Sequence, residues 1–515
     1  MWRAAGLISA LTMVSRVLGL VREQVFVRLL GTGLYAEAFV VAFRIPNLLR
    51  DLFAEGALSA AFMPTYARAL REGGSEAAHR LASRVFSVLA VVLAGLVLLG
   101  ALAAPLLVRA MAGGFDAQQV AFTALLTRIM LPFLPLVSFA AVAMGMLNAE
   151  GRFGMPALAP AIFNVAAIVT AAVLWALGLG PYWVAVGWSV GTLLGGLGQF
   201  VVQLPSLWRA GWRYRFDWAP GDPALRQIAA LMAPATMGMA AVQINLFFST
   251  WFLSYEKGAL VWLQCAFRLL YLPIGLFGVA VGTIAASGLA KQAAAGETAG
   301  LTDTLRRSLR SLAFLTVPST VGLVVLAEPI VRLIFEHGRF LPSDTTHTAN
   351  ALAIYAVGLV AYASLKVLAP AFYALGNSRV PLLASGCAVA SNIATMFLLH
   401  PYFGYRGVAT GLVVSTFVNV LVLIVALRRT VGPFGGPGLG RFVAHVFGAA
   451  AAMGLVAMAS ARALELRLGT HGLLAQGVVA LVPIGLGAAV YFGLTALLRV
   501  PEAHGLRDAL RRRRG

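Results

Sequence analysis

The sequence predicts an all-α polytopic membrane protein, and three observations carry that reading. Of 515 residues, 60% are hydrophobic and only 11% are charged, with a mean hydropathy of +0.86; a soluble chain carries about a quarter charged residues. Fourteen apolar runs reach the length of about 20 residues that a bilayer-spanning helix needs. Arginine and lysine concentrate in alternate connections between these runs, which is the pattern of the positive-inside rule.

Taken in order, the runs cover 4–30, 34–66, 84–109, 119–147, 156–179, 183–206 and 227–254, then 258–289, 309–334, 346–374, 380–400, 406–427, 442–463 and 472–498. The opening "MWRAAGLISALTMVSRVLG" has the look of a signal peptide, but Arg16 interrupts its apolar stretch and no A-x-A-like site follows. It is therefore read as a retained first helix. The second run contains a break near Pro46. With the N-terminus in the cytoplasm, the even-numbered connections are cytoplasmic. They hold Arg68, Arg71, Arg80, Arg152, Arg209, Arg213, Arg215, Lys291, Arg306, Arg307, Arg310, Arg379, Arg428, Arg429 and Arg441. The outer connections hold fewer cations, with Glu256, Glu336, Asp344 and Glu465 among them. Both termini are expected inside.

An internal repeat sets the expected domains. "AFRIPNLLRDLFAEGALSAA" (42–61) aligns without gaps on "AFRLLYLPIGLFGVAVGTIA" (266–285), with Ala42/Ala266, Phe43/Phe267, Arg44/Arg268, Leu48/Leu272, Leu52/Leu276 and Phe53/Phe277 identical. The segments fall in runs 2 and 8, so the repeat unit is six helices. An even number of spans keeps the halves in the same orientation, as in transporters built from parallel repeats, where substrate binds between the halves. The expected organisation is an N-lobe over 1–215, a C-lobe over 216–430, a helix pair over 431–499 and a basic tail over 500–515. The pair follows the connector "VGPFGGPGLG" and is either a packing anchor or a groove for a hydrocarbon tail.

Several function classes are excluded or disfavoured. Two cysteines and seven scattered histidines give no disulfide framework, zinc spacing or HExxH pair, and no Walker A loop is present. No metal site or cofactor is expected. The net charge of +20 lies in short connections and in "RDALRRRRG", so it reads as membrane topology rather than nucleic-acid binding. A membrane-embedded enzyme would need carboxylates for metal or acid–base work. Asp51 and Glu55 are the one close embedded pair, with no further ligands near them, so no enzymatic activity is expected. A scaffold that recruits synthesis enzymes is a further alternative.

What needs explaining is "SRVLGLVREQVFVRLLG" (15–31), where Arg16, Arg22 and Arg28 interrupt an apolar helix. Arg44, Arg50, Arg128, Arg268 and Lys366 also fall within or near spans. A charge at mid-bilayer costs from about 3 to about 10 kcal/mol, depending on relief by water and snorkelling. Snorkelling accounts for Arg28, Arg128 and Lys366. Arg16, Arg22, Arg50 and Arg268 are the candidates for a hydrated cavity, with Arg44 as an additional cavity cation. On an ideal helix Arg16 and Arg22 lie about 120° apart, and Gly19 between them is a candidate bending point. Glu23, Glu37, Asp51 and Glu55 are the available charge partners: Glu23 could orient Arg16, and Glu37 could pair with Arg44. The cationic surplus, with no acid in runs 7, 8, 10, 11 or 12, points to an anionic substrate. Arginine's planar fork suits phosphate oxygens, and a pyrophosphate needs several such donors at once.

"SRVLGLVRE" (15–23), "AFRIPNLLRDLFAEGALSAAFMP" (42–64), "RLLYLPIGLFGVAVGTI" (268–284) and "KVLAPAFYALGNSRVP" (366–381) resemble the MurJ/MviN family of lipid II flippases, over essentially the whole chain. That family belongs to the multidrug/oligosaccharidyl-lipid/polysaccharide exporter superfamily. The resemblance implies two six-helix lobes and a last helix pair that forms a groove for the polyprenyl tail. It implies movement of lipid II (undecaprenyl-pyrophosphate-linked disaccharide-pentapeptide) from the inner to the outer leaflet, and peptidoglycan-synthesis machinery as candidate partners. It assigns the family's functional cavity arginines to Arg16, Arg22, Arg50 and Arg268. Glu23 and Glu37 stand where the family commonly has Asp, and the sodium-binding carboxylates of some members have no counterpart in the C-terminal half. A related lipid-linked oligosaccharide flippase or a multidrug exporter of the same superfamily is the alternative.

Overall fold

A computed structural model describes residues 2–51, 57–434, 436 and 438–503. All regular structure among them is helical. Ten helical stretches are long and apolar enough to cross a membrane, or eleven when a pair bent by 43° is counted as one span. Counted among the described residues, runs 1, 2 and 7 fall outside that set: α1 (Trp2–Leu30) holds four charges between Arg16 and Arg28, α2 (Leu34–Arg50) has 17 residues, and α9 (Pro223–Leu253) enters as the shorter apolar helix Val242–Leu253.

The chain divides into two compact units, Met1–Val261 with His337–Phe340, and Trp262–Glu336 with Leu341–Gly515. In the first unit α2 is followed by α3 (Ala57–Met111), which turns at Gly74, held at φ 72°. Next come α4 (Ala117–Met130) and α5 (Phe133–Ala149), separated at Pro132, then α6 (Gly154–Ala176), α7 (Pro181–Val201) and the short α8 (Leu204–Arg209). The helix α9 lies beyond the expected 215/216 boundary yet clusters with this unit. It packs along α3, and Arg84 of α3 holds Asp217 at 2.7 Å and also Asp222, the N-cap of α9.

Lipid is as apolar as leucine, so helices in a bilayer gain little from burial and associate through close packing. The sequence "VGWSVGTLLGG" supplies it. Gly187, Gly191 and Gly195 face α6 once per turn, and a Cβ built on each would lie 2.4 Å from Leu174, 2.7 Å from Thr170 and 2.6 Å from Phe163. Phe26 of α1 then wedges between Phe39 of α2 and Trp188 of α7, at 5.2 and 5.4 Å between ring centres. A second core gathers Phe62, Tyr66, Phe86, Met146 and Trp212 from α3, α5 and the segment after α8.

The second unit begins within α10 (Ala259–Pro273), continues through a π turn (Ile274–Gly278) into α11 (Val279–Ala294), and adds α12 (Thr298–Val325) and α13 (Ala327–Phe335). The bent pair is α14 (Pro342–Val357) and α15 (Leu359–Ala374), followed by α16 (Arg379–Phe403) and α17 (Tyr405–Val431). The last two helices, α18 (Leu439–Leu468) and α19 (Leu473–Leu497), pack together and against α12. Tyr491 donates to the Phe314 carbonyl at 2.6 Å, and Arg310 holds Glu502 at 2.7 Å while lying 4.4 Å from the Phe442 ring centre. Arg332 ties α13 to α18 through Glu465 at 2.9 Å.

The repeat has a structural mark. The first-unit helix passes through Pro46 unbroken and widens into π geometry at Asp51; adding the offset of 224 gives 275, inside the π turn. Run 2 is thus unbroken at Pro46, contrary to the expectation, and stays helical to Arg50. Single π turns within α-helices often mark functional positions.

Gly191→Val places a methyl pair into Thr170 and is expected to destabilise the chain by about 1–3 kcal/mol, read as a lower melting temperature in detergent. Gly485→Ala, where a Cβ meets nothing within 4 Å, should leave the melting temperature unchanged.

Candidate functional site: the embedded arginines

Three of the four predicted substrate-binding cations lie in the first unit, on α1 and at the end of α2. Arg16 is exposed on α1. Arg22 is partly buried, with its guanidinium 5.2 Å from the ring centre of Phe163 on α6. A guanidinium over an aromatic face is attracted by the ring quadrupole, which helps to position this charge. Glu23 is 3% exposed and lies 3.9 Å from Arg22. One residue after Phe163, Asn164 donates to the Ser15 carbonyl at 3.0 Å, and the buried Gly19 packs against the same amide. The dipeptide Phe163–Asn164 therefore grips α1 on both sides of Gly19.

Arg50 closes α2 and contacts Asp51 through Nε at 3.2 Å and Nη2 at 2.9 Å. Gln243 of α9 donates to the other oxygen of Asp51 at 3.3 Å. The Oε1 atom of Gln243 is buried without a hydrogen-bond partner among the described residues, which leaves an acceptor open beside Arg50. Arg44, one heptad before Asp51, donates to the Thr250 hydroxyl on α9. One heptad earlier again, Glu37 is 2% exposed and accepts the backbone N–H of Gly258 at 2.8 Å, together with hydrogen bonds from the Leu260 backbone and the Gln119 side chain.

Positions 37, 44 and 51 of α2 thus meet 258, 250 and 243 in descending order. Two antiparallel segments are joined by three polar rungs, spaced by the seven residues that bring a helix face round every two turns. Side chains at such spacing share one face, so α2 presents a polar seam to α9 and the turn after it. A carboxylate that accepts backbone N–H groups where a helix starts is doubly satisfied, by hydrogen bonding and by the positive end of the helix.

Arg268 is partly buried on α10 in the second unit, six residues before the π turn. The residues assigned to snorkelling are all exposed. Arg28 is exposed on α1, Arg128 is exposed on α4 and donates to the Ala101 carbonyl at 3.0 Å, and Lys366 is exposed on α15. Glu55 and the Arg511–Arg514 tail lie outside the described residues. Thr250, Gln243, Phe163 and Asn164 are the site residues that sequence reasoning missed. The heptad phase of Glu37, Arg44 and Asp51 was the one signal available for the α9 partners. Among the described residues no group of three or more His, Cys, Asp or Glu side chains could hold a metal ion.

Comparison with known proteins gives this arrangement a family. The family model described as "Lipid II flippase MurJ" matches residues 26–478. The chain belongs to the MurJ lipid II flippase family. "Lipid II flippase MurJ" of Burkholderia cenocepacia is 34% identical over 521 residues, covering 99% of each chain. "Probable lipid II flippase MurJ" of Vibrio cholerae is 35% identical over 427 residues, or 81% of each chain. The solved structure "Lipid II flippase MurJ, inward closed conformation" superposes with a TM-score of 0.79 at 26% identity, covering 96% of this chain and 98% of the other. An inward-facing multidrug-resistance MATE family transporter of the MOP superfamily shares the fold, with a TM-score of 0.69 at 18% identity over 84% of this chain and 98% of its own. The predicted family and the all-α multi-pass architecture are both borne out. The MurJ family is a transporter family, and this member is a multi-pass membrane protein.

Thr250→Val keeps the shape of the rung and removes the acceptor of Arg44. Leaving a charged donor short of a partner costs about 1–3 kcal/mol, so the melting temperature in detergent should fall, and Thr250→Ser should restore it.

Proposed function

We propose that this protein carries lipid II, the undecaprenyl-pyrophosphate-linked peptidoglycan precursor, from the inner to the outer leaflet of the bacterial cytoplasmic membrane by alternating access, with both termini in the cytoplasm. The observation that carries this reading is membership of the MurJ family along the whole chain, in a sequence whose embedded charge is predominantly arginine. Arg16, Arg22, Arg50 and Arg268 are the cations that meet the pyrophosphate. Arg44, Glu23, Asp51 and Glu55 are the groups proposed to keep those cations in register, whereas Glu37 is given to the backbone at 258 and 260.

The mechanism follows from electrostatics. A pyrophosphate cannot enter hydrocarbon bare, since the penalty for each charge is several kcal/mol. Guanidinium groups exchange a hydration shell for charge-assisted hydrogen bonds, often in bidentate pairs. In this protein Arg22 lies against the Phe163 ring and beside Glu23, and Arg50 against a carboxylate shared with Gln243, so both guanidinium groups are held in place for a ligand. The polyprenyl tail stays in lipid throughout, so only the head group needs a polar route. No bond is made or broken, and no nucleic acid takes part. The membrane potential, worth about 2.3 kcal/mol per charge per 100 mV, acts on the anionic head group and on any cation that moves with it. A cationic-drug exporter would place carboxylates where this chain places arginines.

The test is complementation of a strain depleted of its own lipid II flippase. The parent gene should restore growth, and Arg22→Ala or Arg268→Ala should lose it at normal membrane levels. Arg28→Ala and Arg128→Ala, at the exposed positions, should still rescue. Growth with each of the four single alanine variants at Arg16, Arg22, Arg50 and Arg268 would remove these residues from the mechanism.

A further inference from the structure

The segment "LWRAGWRYRFDW" (207–218), between α8 and α9, has a construction that flipping does not call for. Apart from the end of α8 it has no regular secondary structure, yet it is fixed to α3 at several points. Leu207 and Trp212 are 0% and 2% exposed within the α3–α5 core, and the Trp212 ring lies 5.0 Å from Phe86. The Ser87 hydroxyl sits 3.1 Å from the Tyr214 hydroxyl and accepts the Asp217 N–H at 3.1 Å. Arg84 holds the Asp217 carboxylate.

What this pinned strap shows to its surroundings is of one kind. Trp208, Tyr214, Phe216 and Trp218 are 49%, 48%, 68% and 48% exposed. Arg213 and Arg215 are exposed beside them, and Arg209 lies at the end of α8. The Arg213 guanidinium lies 5.7 Å from the Trp208 ring centre, so a cation and a ring share the same depth. The one acid in the strap is committed to Arg84, which leaves three positive charges without a counter-charge within the strap. Rings with a polar edge settle at the boundary between headgroups and acyl chains, and each cation near an anionic leaflet is attracted to it. A water-facing loop would not keep four large rings exposed, and a hydrocarbon-facing one would not keep three arginines.

We propose that residues 207–218 form an interfacial strap that binds anionic glycerophospholipid headgroups, making this end of the first unit selective for acidic over zwitterionic lipid. The rings set the depth, the arginines take the phosphate and its extra negative charge, and the pins to α3 pre-pay the ordering that a flexible loop would lose on binding. The strap shares no residue with the candidate cavity arginines Arg16, Arg22, Arg50 and Arg268.

The experiment is native mass spectrometry of the full chain released from detergent with equal amounts of phosphatidylglycerol and phosphatidylcholine of matched acyl chains. The parent should retain the acidic lipid several-fold over the zwitterionic one. The triple variant Arg209→Gln/Arg213→Gln/Arg215→Gln should bring that ratio down at least threefold, and the corresponding lysine variant should hold it. A control triple, Arg379→Gln/Arg428→Gln/Arg429→Gln, removes the same charge elsewhere and should leave the ratio in place. Equal loss in both glutamine triples would overturn the proposal, as would displacement of the acidic lipid by millimolar glycerol phosphate, because the strap would then be a plain phosphate site. Should the triple fail to fold, Phe216→Ser/Trp218→Ser offers a second reading, and an unchanged ratio there would also overturn it.

Discussion

An ionised guanidinium has no neutral form to retreat to in hydrocarbon, and the first unit is organised around that fact. Four of its embedded arginines are supplied with something other than lipid: a ring and a nearby carboxylate for Arg22, a carboxylate for Arg50, a hydroxyl for Arg44, a carbonyl for Arg128. These partners are weaker than a buried ion pair of matched geometry. That weakness is useful, because a fully neutralised pair gives up little to a ligand and costs heavily when one member is removed. A cation held by a ring or a hydroxyl keeps its charge un-neutralised by that partner.

The same constraint explains where small residues fall. Close approach of α6 and α7 along Gly187, Gly191 and Gly195 puts Phe163 against α7 on one side and Arg22 on the other. Asn164 then reaches the backbone of α1 at Ser15. The packing stripe and the charge site are therefore one piece of construction, and a disturbance on α7 is felt at α1 through two adjacent residues.

Much of this was legible in the sequence. The hydropathy, the alternation of basic connections and the repeat at 42–61 and 266–285 gave the helical class and the location of the embedded charge, because all three are properties of single segments. The π turn that marks the repeat was not legible, since Pro46 is the louder local signal and the helix runs through it. Nor were the partners. By sign and position Glu37 reads as a partner for Arg44 or a cavity acid, whereas the fold sets it on backbone amides at 258 and 260. A carboxylate in a membrane helix looks like a mate for a cation, and one sequence does not show that a helix start will arrive beside it. Thr250 and Gln243 were passed over for the complementary reason: a neutral polar residue in an apolar run carries no sign, so it announces no role until the facing helix is known.

The seam along α2 has one more consequence. Its rungs recur every seven residues, a rise of about 10.5 Å, so an axial slip smaller than two turns would break the bonds to Gly258, Thr250 and Gln243 together. Shear between these segments is thereby resisted at three levels at once. If they ever part, they must unpeel from one end like a zip fastener, losing one contact at a time.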